Sequence, residues 1–526
     1  MVVFDWIGLA PVLVCGAGAL LLVLFQLGGV ESRILGRAGL IALGLALGAT
    51  VRIWDLVRRQ PLTFTIGSWS PPAAVNLSIR VDLIDVAFMA ACLLASFPIL
   101  ARSEPTSRGG SVFCLASLGV AGMLFATDDL PLLAIVWSGV LILAIVRLIK
   151  LRRSAECVNF LALTLVGAPA LVTSAAILSP VPNPSQPTDL LVAFALATLV
   201  LVGAASVGLG PLRQLRAVAN ASPNLEIMND IVLPLVGFDL VLRAVTSTTN
   251  TLPIEVAGLL VLLGFSGLLE AAEAARKVGN LAELVRACNR GNMALAFLVL
   301  ALGTASAISV AVFLVAVSTI AQAIVLAEPS DWRVVLCLGS LAGFPPLPVF
   351  LGRWALVGVA LSAGSWPLTV AVSMGVAMTS FGFWRGVARL NLAGSAVQPD
   401  QMRSGAATLV PVAAIIGATL APGTWLITTL LPSTALSSQL GPSPSLTEAL
   451  IGLALVVLPI MFAAALVRYP ERMRRSKTRT RMQRNATRWT IEPAEALAAG
   501  TRHIEDRYGL AIGILIAVGT VLALVT

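Results

Sequence analysis

The sequence predicts an all-α polytopic membrane protein with about 14–16 transmembrane helices. Composition is the first ground: 58% of the 526 residues are hydrophobic and 12% are charged, with a mean hydropathy of +0.94. A soluble protein carries about 25% charged residues. The second is length, because apolar runs close to 20 residues long recur from end to end, as crossing the hydrocarbon core requires. The third is charge placement, since basic residues gather in alternate loops.

Taken in order, spans are expected near 7–27, 36–55, 82–101, 110–127, 130–149, 157–179, 189–210, 228–248, 253–273, 291–304, 306–327, 334–360, 365–388, 405–431, 445–467 and 509–525. The opening MVVFDWIGLAP lacks a basic n-region, so the first run reads as a retained span. Residues 56–81 alternate polar and apolar side chains around a Gly-Ser-Trp-Ser-Pro-Pro turn, which predicts a small extracytoplasmic hairpin. Together with the first spans it makes an N-terminal region, 1–127. Loops after odd-numbered spans hold Arg33, Arg37, Arg102, Lys150, Arg153, Arg213, Arg276, Arg286 and the run 468–488, whereas even loops are nearly bare. The positive-inside rule then puts the N-terminus outside the cell. Residues 391–467 carry two further spans. The segment 468–508 opens as RYPERMRRSKTRTRMQR and continues as a polar or amphipathic helix. It reads either as an anchor at anionic headgroups or as a docking surface for an acidic partner. A final span occupies 509–526.

The net charge of +9 follows this loop pattern and does not indicate nucleic acid. Six scattered cysteines form no C-x-x-C, and His503 is the only histidine, so no metal site is expected. No nucleotide fingerprint appears. No cofactor is expected in this chain.

The most informative stretch is LAGFPPLPVFLGRW at 341–354, which sets Pro345, Pro346 and the lone Arg353 inside an apolar run. Proline removes a backbone donor and clashes with the preceding turn. A break at membrane depth must be buried in protein or line a wet cavity. A charge beside it is a functional-site hypothesis by default.

Four stretches share a further likeness: FTIGSWSPPAAVNLSIRVDLID at 64–85, SAECVNFLALTLVGAPALVTSAAIL at 154–178, NLAELVRACNRGNMALAFLVLALG at 280–303, and the segment 341–354. In order and spacing they resemble the antiporter-like membrane subunits of complex I, membrane-bound hydrogenases and multi-subunit sodium/proton antiporters. The resemblance covers roughly residues 60–390. It implies two inverted five-helix repeats, at 128–248 and 249–390, each with one broken helix. The first break falls near GLGPL, at Gly208 and Pro211; the second is at Pro345 and Pro346. It implies partners too: other membrane subunits of a hetero-oligomeric complex, with a soluble redox module carrying the electron chemistry. The expected location is the bacterial inner membrane.

In that family, buried ionisable residues relay protons, and this sequence departs from the pattern. The fifth-span glutamate is matched by Ser138, the seventh-span lysine by Ser206, and the eighth-span lysine by Leu235. In the eleventh span Ser318 and Gln322 stand for the histidine and lysine, and in the twelfth Arg353 stands for the lysine. Burial brings a lysine into the range of neutral pH. Serine, leucine and glutamine do not titrate there, and arginine stays charged. Restoring the first pair, with Ser138→Glu and Ser206→Lys, is expected to be tolerated if these positions correspond. Other ionisable candidates are Glu156 and the pair Asp239 and Arg243, which four-residue spacing sets on one helical face. Asp239–Arg243 reads either as a self-neutralised pair joining helices or as a rebuilt proton site, and Glu156 as an interfacial brace or a relay. The sequence thus predicts a membrane-arm subunit of a complex I-like assembly, of the NADH-quinone oxidoreductase or hydrogenase type, that does not pump robustly by itself. The alternative is a membrane component of a cation/proton antiporter or of an inorganic-carbon uptake complex.

Overall fold

The computed structural model describes residues 5–58, 60–68, 76–102, 109–178, 189–209, 212, 223–247, 252–327 and 332–392, with short pieces at 411–413, 415–416, 450–458 and 460–461. The helices are α1 (Ala10–Leu27), α2 (Ser32–Val57), α3 (Leu83–Arg102), α4 (Gly110–Ala126), α5 (Leu130–Lys150), α6 (Ser154–Leu178) and α7 (Asp189–Val207). Then come α8 (Pro223–Glu226), a π-helical stretch Ile227–Val232, α9 (Leu233–Thr246), α10 (Ile254–Lys277), α11 (Leu281–Leu300), α12 (Ala305–Ala327), α13 (Trp332–Ala342), α14 (Pro348–Ser362) and α15 (Trp366–Leu392). Among the described residues nine helices are long and apolar enough to cross a membrane. The chain is an all-α, multi-pass membrane protein. The spans expected at 405–431 and 509–525 and the basic segment 468–508 lie outside the described residues, or almost so.

Apolar residues on every side suit a helix that meets lipid or other helices all round. α12 is the inner helix, with 94% of its central window buried, whereas α1 and α2 turn Leu20, Leu24, Ile41 and Leu45 outward. Lipid gives no hydrophobic drive between helices, so close packing has to hold them. The α7–α9 crossing shows this: a Cβ on Gly203 would lie 2.5 Å from the Gly237 carbonyl oxygen, and one on Gly237 equally 2.5 Å from that of Gly203. Only glycine at both positions permits the approach.

Two irregularities have local causes. Pro234 lacks a backbone donor and its ring crowds the carbonyl four residues back, at Asp230. The helix widens into the π stretch just there. α11 begins at Leu281, earlier than the span read near 291, because it has a cap. Asn280 Oδ1 accepts from the Glu283 amide at 2.9 Å, and Glu283 Oε2 accepts from the Gly279 amide at 2.8 Å.

Between α2 and α3, β1 (Leu62–Ser68) pairs antiparallel with β2 (Asn76–Val81). β2 also bridges Ile79 to Thr127 and accepts the Asp128 amide at the Ser78 carbonyl, 3.4 Å, which ties the hairpin to the α4–α5 turn. Asp82 and Asp85 then start α3: Asp82 Oδ1 accepts from the Ile84 and Asp85 amides, and Asp85 Oδ2 accepts from the Asp82 amide at 2.8 Å.

Candidate functional site: a broken helix closed by an arginine

The expected break is present. α13 stops at Ala342 and α14 starts at Pro348, so the last carbonyls of α13 have no amide one turn ahead to accept from. Gly343 turns the chain at φ +79, and the Phe344 amide closes the turn on the Gly339 carbonyl at 2.9 Å. Arg353, on the first turns of α14, folds back to these carbonyls and is 1% exposed. Its Nη2 donates to the Leu341 carbonyl at 3.1 Å and its Nη1 to that of Ala342 at 3.0 Å. Asn292 of α11 accepts at Oδ1 from Nε and Nη2, at 3.1 and 2.9 Å, and Ser380 Oγ of α15 accepts from Nη1 at 3.4 Å. A guanidinium has five N–H groups, and five bonds use them. Among the described residues none of these acceptors is a carboxylate.

Gly343 allows this contact. A Cβ there would lie 2.5 Å from Arg353 Nη1, and the left-handed φ itself penalises any side chain. Gly343→Ala is expected to lower stability by ~1–2 kcal/mol from the backbone alone, with a further loss as the guanidinium is displaced. Thermal unfolding of the purified variant checks this; an unchanged midpoint would show that the arginine is not held tightly.

Neutral polar groups surround the same region. Asn292 Nδ2, Asn289 Oδ1, Thr319 Oγ1, Gln322 Oε1 and Ser340 Oγ are buried without a bonding partner. They lie on α11, α12 and α13, which pack against one another. Other helical hydroxyls, such as Thr50, Ser96 and Ser318, instead return a bond to their own backbone. Ser318 and Gln322 are buried in α12 as a hydroxyl and an amide, neither of which carries charge.

In the other half, Trp137 Nε1 donates to Ser206 Oγ at 3.3 Å, and Ser206 Oγ donates to the Val202 carbonyl at 2.9 Å. Ser138 bonds its own helix, at the Ala134 carbonyl, 2.7 Å. It is Trp137 that meets Ser206. Leu235 is fully buried in α9. Gly208 ends α7 at φ +75, and Pro211 lies outside the described residues.

Asp239 and Arg243 form a pair, Nε to Oδ2 at 2.7 Å. Their surroundings are wider than the four-residue spacing shows. Arg243 Nη2 donates to the carbonyls of Phe125 at 2.8 Å and Leu124 at 3.3 Å, and Nη1 to that of Thr127, so the arginine caps α4. A positive charge at the negative end of a helix is stabilising. Asp85 adds a second buried carboxylate, 3.9 Å from Nη2. Arg102 does the same for α12, donating to the Leu326 carbonyl. Sequence reading missed Asp85; the Asp-x-x-Asp capping pattern was its only signal.

Near the C-terminal end of α10 and the N-terminal end of α11, Arg286 binds Asp230 at 2.8 Å and Glu226 at 3.1 Å, and Arg290 binds Glu270 at 3.3 Å. Glu156 meets Arg153 at 3.5 Å, with both side chains a fifth or more exposed. Such a pair contributes ~0–1 kcal/mol. Among the described residues no cluster of three His, Cys, Asp or Glu is placed to hold a metal.

The sequence matches no protein-family model and no curated protein. Solved structures do match. A chain of the Mrp complex from Dietzia sp. DQ12-45-1b aligns at TM-score 0.67 and 18% identity, over 99% of this chain and 63% of that one. This chain thus spans less than two thirds of that chain's length. A chain of respiratory complex I from Thermus thermophilus with bound NADH aligns at 0.64 and 18%, over 85% and 99%. A chain of the membrane-bound sulfane sulfur reductase, an archaeal respiratory membrane complex, aligns at 0.67 and 15%, over 87% and 99%. The chain shares its fold with these chains of multi-subunit membrane complexes.

Proposed function

We propose that this antiporter-like chain is a membrane-arm subunit of a complex I-like ion-translocating assembly and does not itself run a proton relay along the family's positions. The fold shared with chains of multi-subunit membrane complexes supports the first part. One observation carries the second: the charge at the twelfth-span position is a guanidinium whose five N–H groups are all committed to neutral oxygens. A relay site must gain and lose a proton near neutral pH. Arg353 keeps its proton, and the positions before it, Ser138, Ser206, Leu235, Ser318 and Gln322, carry no titratable group. Asp239 and Arg243 sit in a buried pair that joins α9 to α4, and Glu156 pairs with Arg153 at the start of its own helix.

The reading includes two inverted repeats at 128–248 and 249–390, an extracytoplasmic N-terminus and a bacterial inner membrane. A soluble redox module would dock on the cytoplasmic side, where 468–508 supplies basic charge. In a second reading the chain is a membrane component of a cation/proton antiporter or of an inorganic-carbon uptake complex. The alignment of 99% of this chain with part of a chain of the Mrp complex supports it.

Purification from native membranes followed by mass spectrometry separates the two. Co-purifying iron–sulfur and quinone-site subunits support the first reading, and other transporter subunits alone support the second. A chain that purifies with no partner overturns both. In vesicles, the chain alone is expected to show no potential-driven proton flux above empty vesicles, as followed by internal pH. Fast flux abolished by Arg353→Ala or Asp239→Asn would sink the idea of a lost relay.

A further inference from the structure

We propose that the break between α13 and α14 is a monovalent-cation site, and that its occupant is the chain's own Arg353. Four oxygens converge on the guanidinium: the Leu341 and Ala342 carbonyls, Asn292 Oδ1 and Ser380 Oγ, at 2.9 to 3.4 Å. Two of them are the terminal carbonyls of a half-helix. These carry part of the macrodipole's negative end, equivalent to roughly half a charge. In transporters with discontinuous helices, such half-helix C-termini and unwound carbonyls coordinate sodium ions and protons. Asn292 and Ser380 complete the shell from α11 and α15, and both are fully buried. The shell is therefore assembled by three helices, α11, α13 and α15, around a side chain from a fourth, α14.

The chemistry of the shell selects a cation. It offers oxygens inward and no carboxylate, so it carries partial charge without a formal one. That suits a single positive charge of low hydration, which a guanidinium is. It does not suit an anion, because no N–H of Arg353 is left to donate. Gly343 removes the one Cβ that would keep Nη1 out. In the last turn of α13, Ser340 Oγ is buried and unpartnered, so one further oxygen that could face a smaller ion stands close to the shell.

A tethered cation cannot exchange. The break is thus permanently occupied, and this half of the fold is held in a loaded state whatever the bulk ion concentration. The inference rests on the proposed function only for reading the break as part of a former ion path. The oxygen shell stands without it.

The test uses the purified full-length chain in detergent, with thermal unfolding as the readout and N-methyl-glucamine chloride as the reference salt. Wild type should respond to millimolar guanidinium, sodium or potassium chloride no more than to the reference. Arg353→Ala should unfold earlier and regain several degrees, saturably, with guanidinium or with one of the metal cations. Equal recovery with every chloride salt would assign the effect to the anion and overturn the proposal, as would no recovery at all. If Arg353→Ala does not fold, Arg353→Lys and Arg353→Met decide. A cation site ranks lysine above methionine in stability, and a site that needs only volume ranks methionine first. Failure here leaves membership of an assembly untouched, and solitary purification leaves the cation site untouched.

Discussion

Arg243→Ala should remove most of the folded chain from the membrane. This arginine joins α9 to α4 and to the start of α3. It holds Asp239 at 2.7 Å, the Phe125 carbonyl at 2.8 Å and that of Leu124 at 3.3 Å, and it faces Asp85 at 3.9 Å. Truncation leaves Asp239 and Asp85 buried together without their counter-charge and uncaps α4. Removing one partner of a buried pair costs ~3–5 kcal/mol, against a total stability of about 5–15 kcal/mol for a typical protein. The uncapped carbonyls add to the loss. Yield of monodisperse protein and the unfolding midpoint report the effect. Arg243→Lys should be intermediate, because an ammonium keeps the charge but not the planar fork. Asp239→Asn combined with Arg243→Gln should be less damaging than Arg243→Ala, since it leaves one buried carboxylate, Asp85, without its counter-charge instead of two. A single Arg243→Ala chain that folds like wild type would show that the cluster is no brace.

The two arginines differ in how much of their role the sequence carries. Pro345, Pro346 and Arg353 are local signals: a donor lost and a charge gained within nine residues of an apolar run, and the break lies there. The strands β1 and β2 were legible for a similar reason, because period-two alternation is written in neighbouring residues. The partners of Arg353 were not. Asn292 is 61 positions away, and the remaining acceptors are backbone carbonyls or a serine. A carbonyl has no signature in a sequence, since every residue has one. The same holds for Arg243, whose contacts at Leu124, Phe125 and Thr127 are more than a hundred positions off. Counting along a helix reached Asp239 but could not reach Asp85, which arrives through the fold. Counting matches Ser138 to the fifth-span glutamate, and it is the neighbouring Trp137 whose side chain meets Ser206. Helix rotation decides which of two neighbours faces inward, and a motif match does not fix it.

That last difference reverses an expectation. Putting a glutamate at 138 and a lysine at 206 was expected to restore a buried ion pair; the geometry predicts that Ser138→Glu with Ser206→Lys is strongly destabilising. Ser206 is fully buried, with Trp137 against one side and α9 against the other. A Cβ on Gly237 would already lie 2.7 Å from the Ser206 Cβ. α7 and α9 are in backbone contact here, so a lysine side chain has no room to extend. Overpacking alone costs ~1–3 kcal/mol. The ammonium would also be desolvated, and the glutamate that should pair with it starts from a residue directed at its own helix. An unpaired buried charge costs several kcal/mol more. Expressed beside wild type and run on size exclusion, the double variant should give little monodisperse protein, whereas Ser138→Glu alone, at a half-buried position, should give far more. Wild-type yield from the double variant would mean that α7 and α9 part to admit a hydrated pair, and that the relay position had been kept open in this chain after all.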